Sequence, residues 1–247
     1  MDLSGKHFLV TGGSGSIGSA LVNVLISLNC RVTVLDSSPF STDHLDSTFI
    51  NSLICDLTND NSVTTNINSS IKRFGPLDGL INCVGLMRSC MLVNPILSGE
   101  NRHSLTDWQQ IIDVNLTSVF IVSRTVVQSM LNNRTKGVIV NVSSICSSGN
   151  PGQSAYSASK AGVEALTSVW SKELSPFGIR CACIAPGFVD SPSTSNALGD
   201  QYLDQWKSRV PLKRLASIDE IVSSIIFILS NDYFNGRTLA VDGGLVL

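Results

Sequence analysis

Two side chains four residues apart, Tyr156 and Lys160, have the spacing of a proton-transfer pair. Residues i and i+4 share one face of an α-helix, so both side chains would point the same way. A free tyrosine titrates at about 10 and is a poor base at neutral pH, but a neighbouring ammonium favours the phenolate. The pair therefore predicts general acid/base chemistry in which Lys160 lowers the pKa of Tyr156. The alternative is a purely structural helical pair.

Serine hydroxyls precede this pair at the end of an apolar run, Val140–Ser144. We expect this run to be a strand that presents its hydroxyls at its carboxyl edge. The turn Gly149–Gly152 would lead the chain back, so that a serine lies near Tyr156. The strand, the turn and the helix together favour a functional interpretation of the pair.

A glycine-rich turn, Thr11–Gly18, lies far upstream, between the first apolar run and the first helical pattern. Small residues there let the backbone approach a pyrophosphate, and a helix N-terminus offers free N–H groups and a positive dipole end. The turn therefore predicts a dinucleotide phosphate site that uses Gly12, Ser14, Ser16, Ile17 and Gly18. A tight strand–helix turn without a ligand is the alternative.

Asp36 ends the second apolar run and bears on the choice of nucleotide. A carboxylate at this place can accept hydrogen bonds from the adenosine ribose and repels a 2′-phosphate. No Arg or Lys stands at Gly15 or Ser37 to receive such a phosphate. The sequence thus favours NAD(H) over NADP(H), although a solvated turn at the end of a strand would also explain the aspartate.

Alternating strand and helix patterns must position these residues. Continuous apolar runs, typical of strands that are covered on both faces, predict seven strands at His7–Thr11, Arg31–Leu35, Ser52–Cys55, Gly79–Cys83, Val138–Val142, Arg180–Ile184 and Thr238–Val241. Helical patterns lie between them at Ser16–Leu28, Asn61–Phe74, Thr106–Asn132, Ala155–Ser175 and Ile218–Leu229. Repeated βα units of this kind predict an α/β fold with a doubly wound parallel sheet.

Composition limits the other classes of function. The chain has 247 residues, of which 43% are hydrophobic and 15% charged, with a net charge of −2. No basic field would attract nucleic acid or an anionic membrane. The seven scattered cysteines include no C-x-x-C pair, so we expect reduced thiols and no metal. The N-terminus has no apolar signal region, and we expect a cytoplasmic protein.

No linker or repeat divides the chain, so we expect one domain over residues 1–247. Two segments extend the scaffold, Leu86–Leu105 and Gly187–Leu215. Ligands in such folds lie beyond the carboxyl ends of the strands, so both segments should border the active site. Residues 187–215 are the predicted substrate rim.

Taken together, the motifs resemble the short-chain dehydrogenase/reductase family over essentially the whole chain. The matching segments are Thr11–Gly18, Asp36, Asp56-Leu57, Asn82–Gly85, Asp113–Asn115, Asn141–Ser144, Tyr156–Lys160, Pro186-Gly187 and Asp242–Gly244. The resemblance implies a single-domain Rossmann fold with a seven-stranded parallel sheet and helices on both faces.

The resemblance also implies a role for each matched residue. Tyr156 would be the general acid or base, Lys160 would bind the nicotinamide ribose, and Ser144 would bind the substrate oxygen. Asn115 would hold a water that connects Lys160 to solvent. The remaining cofactor contacts would come from Asp56 and Leu57 at the adenine, Asn82 and Gly85 in the central groove, and Pro186, Gly187, Val189 and Ser191 at the nicotinamide end.

Four positions depart from the family pattern. Ser16 replaces the middle glycine of the phosphate turn, Cys83-Val84 replaces Asn-Ala, and Ser191 stands where a threonine is usual. The separation of Ser144 and Tyr156 is one residue shorter than usual, so spacing alone would select Ser143. We favour Ser144, because a loop absorbs a deletion more readily than a strand end does.

These residues predict an NAD(H)-dependent oxidoreductase that interconverts a secondary alcohol and a ketone. The resemblance is strongest to 3-oxoacyl carrier-protein reductases and 3-hydroxyacyl-CoA dehydrogenases, so the substrate could be linked to a carrier or to CoA. Sugar, polyol and hydroxysteroid dehydrogenases share the motifs. A non-catalytic nucleotide sensor on the same fold is a further alternative.

The surroundings of the site bear on its partners. The rim contains Trp206, Lys207, Arg209, Lys213 and Arg214, which could meet an anionic carrier group or form an ordinary solvated helix. Thr106–Asn132 is apolar around most of its circumference, which indicates burial on more than one side. The resemblance implies a homotetramer.

Overall fold

One seven-stranded sheet forms the centre of the protein. The computed structural model describes residues 1–42, 45–96, 102–192, 194 and 200–247. Every strand pair is parallel, and the strand order is β3-β2-β1-β4-β5-β6-β7. The strands are β1 (His7–Thr11), β2 (Arg31–Asp36), β3 (Ile50–Ile54), β4 (Gly79–Asn82), β5 (Gly137–Val142), β6 (Ile179–Pro186) and β7 (Thr238–Val241). The α/β, doubly wound Rossmann fold is therefore confirmed.

Helices cover both faces of the sheet. They are α1 (Ser16–Ser27), α2 (Asp60–Phe74), α3 (Leu105–Ile112), α4 (Ser118–Asn132), α5 (Ser154–Leu174), α6 (Asp200–Arg209) and α7 (Ile218–Ser230). Side-chain caps begin several of them. Asn59 accepts a hydrogen bond from Ser62 N at the start of α2, and Ser217 and Glu220 form a reciprocal capping box at the start of α7.

Alternate residues of each strand pack into different layers of the core. On one face, Phe8 and Val10 belong to a buried cluster that includes side chains of α1 and α7. On the other, Leu9 belongs to a cluster with side chains of α2 and α4. This arrangement follows from the two-residue repeat of a strand, and it explains why the strands read as continuous apolar runs.

The predicted elements agree with the observed ones to within one residue at each end except in four places. The sixth strand ends at Pro186, two residues later than expected. The third strand begins at Ile50, two residues earlier than expected. The predicted helix Thr106–Asn132 is interrupted by a π-helical turn at Asp113–Thr117. Helix α6 lies in the rim segment, where an ordinary solvated helix was one of the two interpretations of the basic residues but no bounds were predicted. Parts of both predicted extra segments (residues 97–101, 193 and 195–199) lie outside the described residues.

One stretch of the described chain, Leu105–Asn132, is long and apolar enough to span a membrane by length and composition alone. Of its most apolar window, 39% is buried within the protein. Val122, Val126 and Met130 on this stretch pack in the core against the sheet. Packing against the sheet therefore accounts for part of its apolar character. The cytoplasmic location stays a prediction.

Candidate active site

A cavity of about 290 Å³ lies at the carboxyl edge of the sheet. The glycine turn lines one part of it, and Tyr156 and Lys160 line another. Twelve of the residues singled out in the sequence border this cavity, namely Gly12, Ser16, Ile17, Gly18, Gly85, Ser144, Tyr156, Lys160, Pro186, Gly187, Val189 and Ser191. The predicted phosphate-binding and proton-transfer motifs therefore line one cavity.

The glycine turn is shaped by close backbone approaches. A Cβ atom at Gly18 would lie 2.2 Å from the carbonyl oxygen of Gly12, and one at Gly12 would lie 2.7 Å from the backbone of Val84. Gly12 also has a positive φ of 67°. Since the first N–H groups of α1 have no partner within the helix, this cradle fits the pyrophosphate of a dinucleotide.

Ser16 occupies the first position of α1 and lines the cavity, where the family pattern has a glycine. Gly15 precedes it as N-cap, with no side-chain cap. The serine is thus accommodated without a break in the strand–turn–helix geometry.

Asp36 connects the glycine turn to the end of β2. Its Oδ2 accepts a hydrogen bond from Ser14 N at 2.9 Å, and its Oδ1 accepts one from Ser38 N at 3.0 Å. These bonds orient a half-buried carboxylate beside the turn. Carboxylate oxygens have more than one acceptor direction, so Asp36 can still receive a ribose hydroxyl.

The expected adenine contacts lie apart from the main cavity. Asp56 is exposed, and its Oδ1 accepts hydrogen bonds from the backbone N and the Oγ1 of Thr58. These bonds lower the pKa of Asp56. Leu57 is buried in the cluster against α2. The roles expected for both residues stay predictions.

Asn82 is not among the residues that border the cavity, and its expected place in the cofactor groove stays a prediction. It is 1% exposed and donates hydrogen bonds from Nδ2 to Ser123 Oγ at 3.0 Å and Asn141 Oδ1 at 2.8 Å. The amide lies within the core, where its Nδ2 is paired and its Oδ1 has no hydrogen-bond partner among the described residues. Gly85 does line the cavity, and a Cβ there would lie 3.5 Å from Lys160 Nζ.

Burial raises the pKa of Tyr156 to about 12, and hydrogen bonding to Ser144 offsets this only in part. Tyr156 is therefore a neutral phenol at pH 7, which is the form that a general acid requires. The lowering by Lys160 expected from the sequence is not found. Lys160 Nζ lies 5.7 Å from the centroid of the tyrosine ring and donates a hydrogen bond to Val142 O at 2.8 Å. Burial lowers the pKa of Lys160 itself.

The two serines at the end of β5 point to different partners. Ser144 and Tyr156 line the same cavity, Ser144 lowers the pKa of Tyr156, and its Oγ accepts a hydrogen bond from Cys146 N at 3.2 Å. Ser143 Oγ instead donates to Glu164 Oε1 at 2.8 Å. This geometry favours Ser144 as the serine that would meet a substrate oxygen beside Tyr156.

Asn115 lies at the π-helical turn between α3 and α4 and is fully buried. Its Oδ1 accepts a hydrogen bond from Leu86 N at 2.7 Å, and its Nδ2 donates to Leu86 O at 2.9 Å and Ser159 Oγ at 3.3 Å. The amide therefore joins the chain after β4 to α5. The expected role in holding a water stays a prediction.

The nicotinamide end of the groove follows β6. Gly187 N donates to Val241 O at 2.9 Å, and a Cβ on Gly187 would lie 2.8 Å from Asp242 Cα. Val189 pairs with Ala216 in a short parallel bridge. Ser191 Oγ lies 3.0 Å from Thr194 Oγ1. The segment that follows β6 therefore packs closely against the end of β7 and forms one wall of the cavity.

Apolar side chains border the cavity near Tyr156, and the sequence interpretation did not identify them. They are Met87, Ile145, Cys146 and Phe188. Met87 Sδ accepts a hydrogen bond from Gln153 Nε2 at 3.4 Å, which joins the loop after β4 to the start of α5. Met87 and Phe188 lie in the two segments predicted to border the site, but no motif marks their side chains.

The basic rim residues make contacts with their own neighbourhood. Lys207 pairs with Asp204, Arg214 with Glu220, and Lys213 Nζ donates to Ser208 O. Arg209 lies over the ring of Trp206 at 4.9 Å, and Trp206 packs on Phe188 with 4.5 Å between ring centroids. Helix α6 thus contacts the cavity wall through an aromatic pair.

Within the described residues, no three His, Cys, Asp or Glu side chains cluster in a way that could hold a metal ion. All seven cysteines are free thiols. Burial raises the pKa of Cys83, which lines the cavity, to about 11. This thiol therefore stays neutral at pH 7.

Comparisons with known proteins agree with the geometry. A family model described as enoyl-(acyl carrier protein) reductase matches residues 12–246. The 3-oxoacyl-[acyl-carrier-protein] reductase FabG of Thermotoga maritima is 34% identical over 256 residues and is covered over 100% of both chains. The enzyme of the same name from Vibrio cholerae is 32% identical over 254 residues, again with 100% of both chains covered.

A solved structure extends the comparison to the fold. The ligand-free aldohexose dehydrogenase of Thermoplasma acidophilum matches with a TM-score of 0.85 and 28% sequence identity. The match covers 99% of this chain and 95% of that one. Sequence relatives and the structural neighbour are therefore named for different substrates on one scaffold.

Proposed function

Because the chain belongs to the short-chain dehydrogenase/reductase family, whose members use nicotinamide cofactors on CH–OH groups, we propose that it is an NAD(H)-dependent 3-oxoacyl thioester reductase. The observation that carries the proposal is the gathering of Ser144, Tyr156 and Lys160 in the cavity that the glycine turn also lines. The unit that works is the single domain of residues 1–247, with residues 187–215 at the substrate rim.

The residues divide the chemistry among them. The bound nicotinamide supplies or accepts the hydride. In reduction, Tyr156 donates its phenolic proton to the carbonyl oxygen, which Ser144 holds by a hydrogen bond. Lys160 binds the nicotinamide ribose, Asn115 connects Lys160 to solvent through a water, and Pro186, Gly187, Val189 and Ser191 receive the nicotinamide. In oxidation Tyr156 takes up the proton instead.

The preference for NAD(H) rests on Asp36. Its carboxylate lies beside Ser14, where it would accept ribose hydroxyls and repel a 2′-phosphate. Gly15, Ser37 and Ser38 around it carry no positive charge. Asp56 and Leu57 would contact the adenine beyond it.

The choice of a 3-oxoacyl thioester rests on the relatives and on the cavity wall. Both bacterial relatives are named for substrates on acyl carrier protein. The apolar side chains of Met87, Ile145 and Phe188 suit an acyl chain better than a sugar, whose hydroxyls would need hydrogen-bonding partners. Oxidation of a hexose is the second candidate, because the structural neighbour is an aldohexose dehydrogenase.

We further propose a homotetramer. Phe120 on α4 is 45% exposed and Val169 on α5 is 47% exposed, and Val246 near the end of the chain is 90% exposed. Contact between copies would cover these apolar side chains. Light scattering at micromolar concentration tests this proposal, and a monomer would contradict it.

A substrate panel tests the proposed reaction. Purified protein would be assayed with acetoacetyl-CoA, cyclic ketones and, in the reverse direction, aldohexoses and hydroxysteroids, each with both cofactors. We expect acetoacetyl-CoA reduction with NADH to give the highest kcat/KM. Faster turnover of a hexose would select the second candidate, and NADH binding without turnover of any compound would indicate a nucleotide sensor.

A further inference from the structure

Several side chains of helix α5 contact the end of β5 and the residues that follow it, and one of them is Glu164. Tyr156, Lys160 and Glu164 are spaced at i, i+4 and i+8, so they share one face of α5. The chain that they face, Val142–Ser144, leaves β5 and enters the active site.

Each of these three side chains contacts a different residue of that short segment. Tyr156 lies at the same cavity as Ser144, which lowers its pKa, and Lys160 Nζ donates to Val142 O at 2.8 Å. Glu164 accepts a hydrogen bond from Ser143 Oγ at 2.8 Å. The middle residue of the segment is therefore attached to α5 by a carboxylate, between the two residues that contact the proposed proton-transfer pair.

The Ser143 hydroxyl has a second possible hydrogen-bond acceptor besides Glu164. Ser143 Oγ also lies 3.1 Å from the carbonyl oxygen of Lys160, so the hydroxyl would have an acceptor without the carboxylate. A hydrogen bond to a carboxylate is stronger than one between neutral groups, and a buried one tolerates little displacement. Ser143 is 3% exposed.

The negative charge of Glu164 affects a neighbouring buried group. Burial raises the pKa of Cys183 to about 12, and the charge of Glu164 contributes to this rise. Glu164 is half-buried, so its carboxylate lies close to the interior beneath the site. A half-buried charge retains its place when hydrogen bonds compensate it, and Ser143 supplies one.

From this geometry we infer that Glu164 is a positioning residue: through Ser143 it fixes the segment that presents Ser144 and the Val142 carbonyl to Tyr156 and Lys160. Glu164 is not among the residues that line the cavity. The expected effect of Glu164 on turnover rests on the proposed function. Because Lys160 is proposed to bind the nicotinamide ribose, a change in its position would also alter the affinity for NADH.

Four variants test this role: Glu164→Ala, Glu164→Gln, Ser143→Ala and the double variant Ser143→Ala/Glu164→Ala. We expect Glu164→Ala to lower kcat for acetoacetyl-CoA reduction about tenfold, with KM changed less than twofold, because one charged hydrogen bond is lost. Glu164→Gln should restore kcat to within about threefold, since its amide oxygen can accept from Ser143. The double variant should be no slower than the slower single variant.

A matched control separates positioning from general loss of structure. Glu173 is exposed on the same helix, and Glu173→Ala should change neither kcat nor NADH affinity. A wild-type kcat in Glu164→Ala would overturn the inference. A kcat in Glu164→Gln as low as in Glu164→Ala, or additive losses in the double variant, would also overturn it.

NADH binding, followed by fluorescence titration, distinguishes failure of this inference from failure of the proposed function. If Lys160 is displaced in Glu164→Ala, NADH should bind about threefold more weakly, and Glu164→Gln should recover the affinity. This result would support the positioning role even if no ketone were reduced. Equal NADH affinity in all variants, together with an inactive wild type, would contradict both.

Discussion

The amino and carboxyl edges of the sheet each carry a buried ionisable side chain, and burial shifts the two pKa values in opposite directions. At the amino edge, burial lowers the pKa of His7 to about 4. At the carboxyl edge, burial raises the pKa of Tyr156 to about 12. In both places the neutral form is favoured, because a low-dielectric interior disfavours charge.

The edges differ in how completely the buried group is hydrogen-bonded. His7 Nδ1 lies 2.9 Å from Gly75 O, which can only accept, so Nδ1 carries the proton and Nε2 accepts from Thr33 Oγ1. Tyr156 has Ser144 beside it and opens onto a cavity. A displaced pKa alone therefore does not mark a site. A displaced pKa at a cavity, with capacity left for a ligand, does.

The largest expected effect is at the carboxyl edge, in Gly18→Ala. Its Cβ would lie 2.2 Å from Gly12 O and 2.8 Å from Gly13 Cα, so the backbone of the turn must move. We expect loss of detectable NADH binding and a free energy of unfolding lower by about 3 kcal/mol. Fluorescence titration and urea denaturation measure the two effects.

Gly15→Ala is the matched control, because its Cβ would meet only Gly12 O at 3.3 Å. This variant should fold with nearly wild-type stability. If Gly18→Ala binds NADH as tightly as the wild type, the close packing of the turn is not what forms the phosphate site.

Acid should weaken the amino edge through His7. Because the folded-state pKa is about 4 and the unfolded value 6.5, the unfolded state binds more protons between these limits. Stability is therefore complete above pH 6.5 and falls as the pH decreases towards 4, by about 3 kcal/mol from this residue.

Urea denaturation at pH 7 and pH 4 checks this prediction. His7→Gln cannot take up the proton, so its loss of stability between the two pH values should be smaller than that of the wild type by about 3 kcal/mol. Equal losses in the two proteins would mean that His7 is not the group that makes this edge sensitive to acid.

A smaller effect is expected from Asp36→Asn. The amide oxygen can still accept a hydrogen bond from Ser14 N, but the negative charge that would repel a 2′-phosphate is gone. The ratio of NADPH to NADH dissociation constants should fall at least about tenfold, equivalent to about 1.4 kcal/mol. Calorimetric titration with both nucleotides measures the ratio. Tighter NADPH binding by the wild type would contradict the NAD(H) assignment.

The smallest expected effect concerns backbone strain at the carboxyl and amino edges of the sheet. Lys213, near the carboxyl end of β7, has a φ of 57°, and Arg134, before the amino end of β5, has a φ of 53°. Glycine tolerates this region best, so Lys213→Gly and Arg134→Gly should each raise the free energy of unfolding by about 0.5 kcal/mol. Thermal denaturation, with Lys213→Ala as the control that retains the strain, tests whether the gains are alike.

Local patterns in the sequence predicted most of the fold. Apolar runs located all seven strands, and the bounds of the first and last strands agree at both ends. The π-helical turn at Asp113–Thr117 was not predictable from periodicity, because it arises where Asn115 bonds to the backbone of Leu86. That contact joins residues 29 apart in the chain.

The sequence predicted the site residues that belong to short motifs. It did not predict the properties that depend on tertiary packing. The spacing of Tyr156 and Lys160 predicted that they share a helix face. It did not predict the burial that raises the pKa of Tyr156. Glu164 carried no signal beyond its place one turn after Lys160, since its partner Ser143 comes from another element. The bounds of helix α6 were not predicted, and a solvated helix there was only one of two interpretations, because its polar sequence has little apolar periodicity.

The most direct test of the account compares two properties of one variant, Tyr156→Phe. The substitution removes the phenolic hydroxyl at the proton-transfer end and leaves the glycine turn and Asp36 untouched. We expect kcat for acetoacetyl-CoA reduction with NADH to fall at least about 1000-fold, while the NADH dissociation constant changes less than about threefold. Undiminished turnover in this variant would contradict the assignment of Tyr156 as the proton donor.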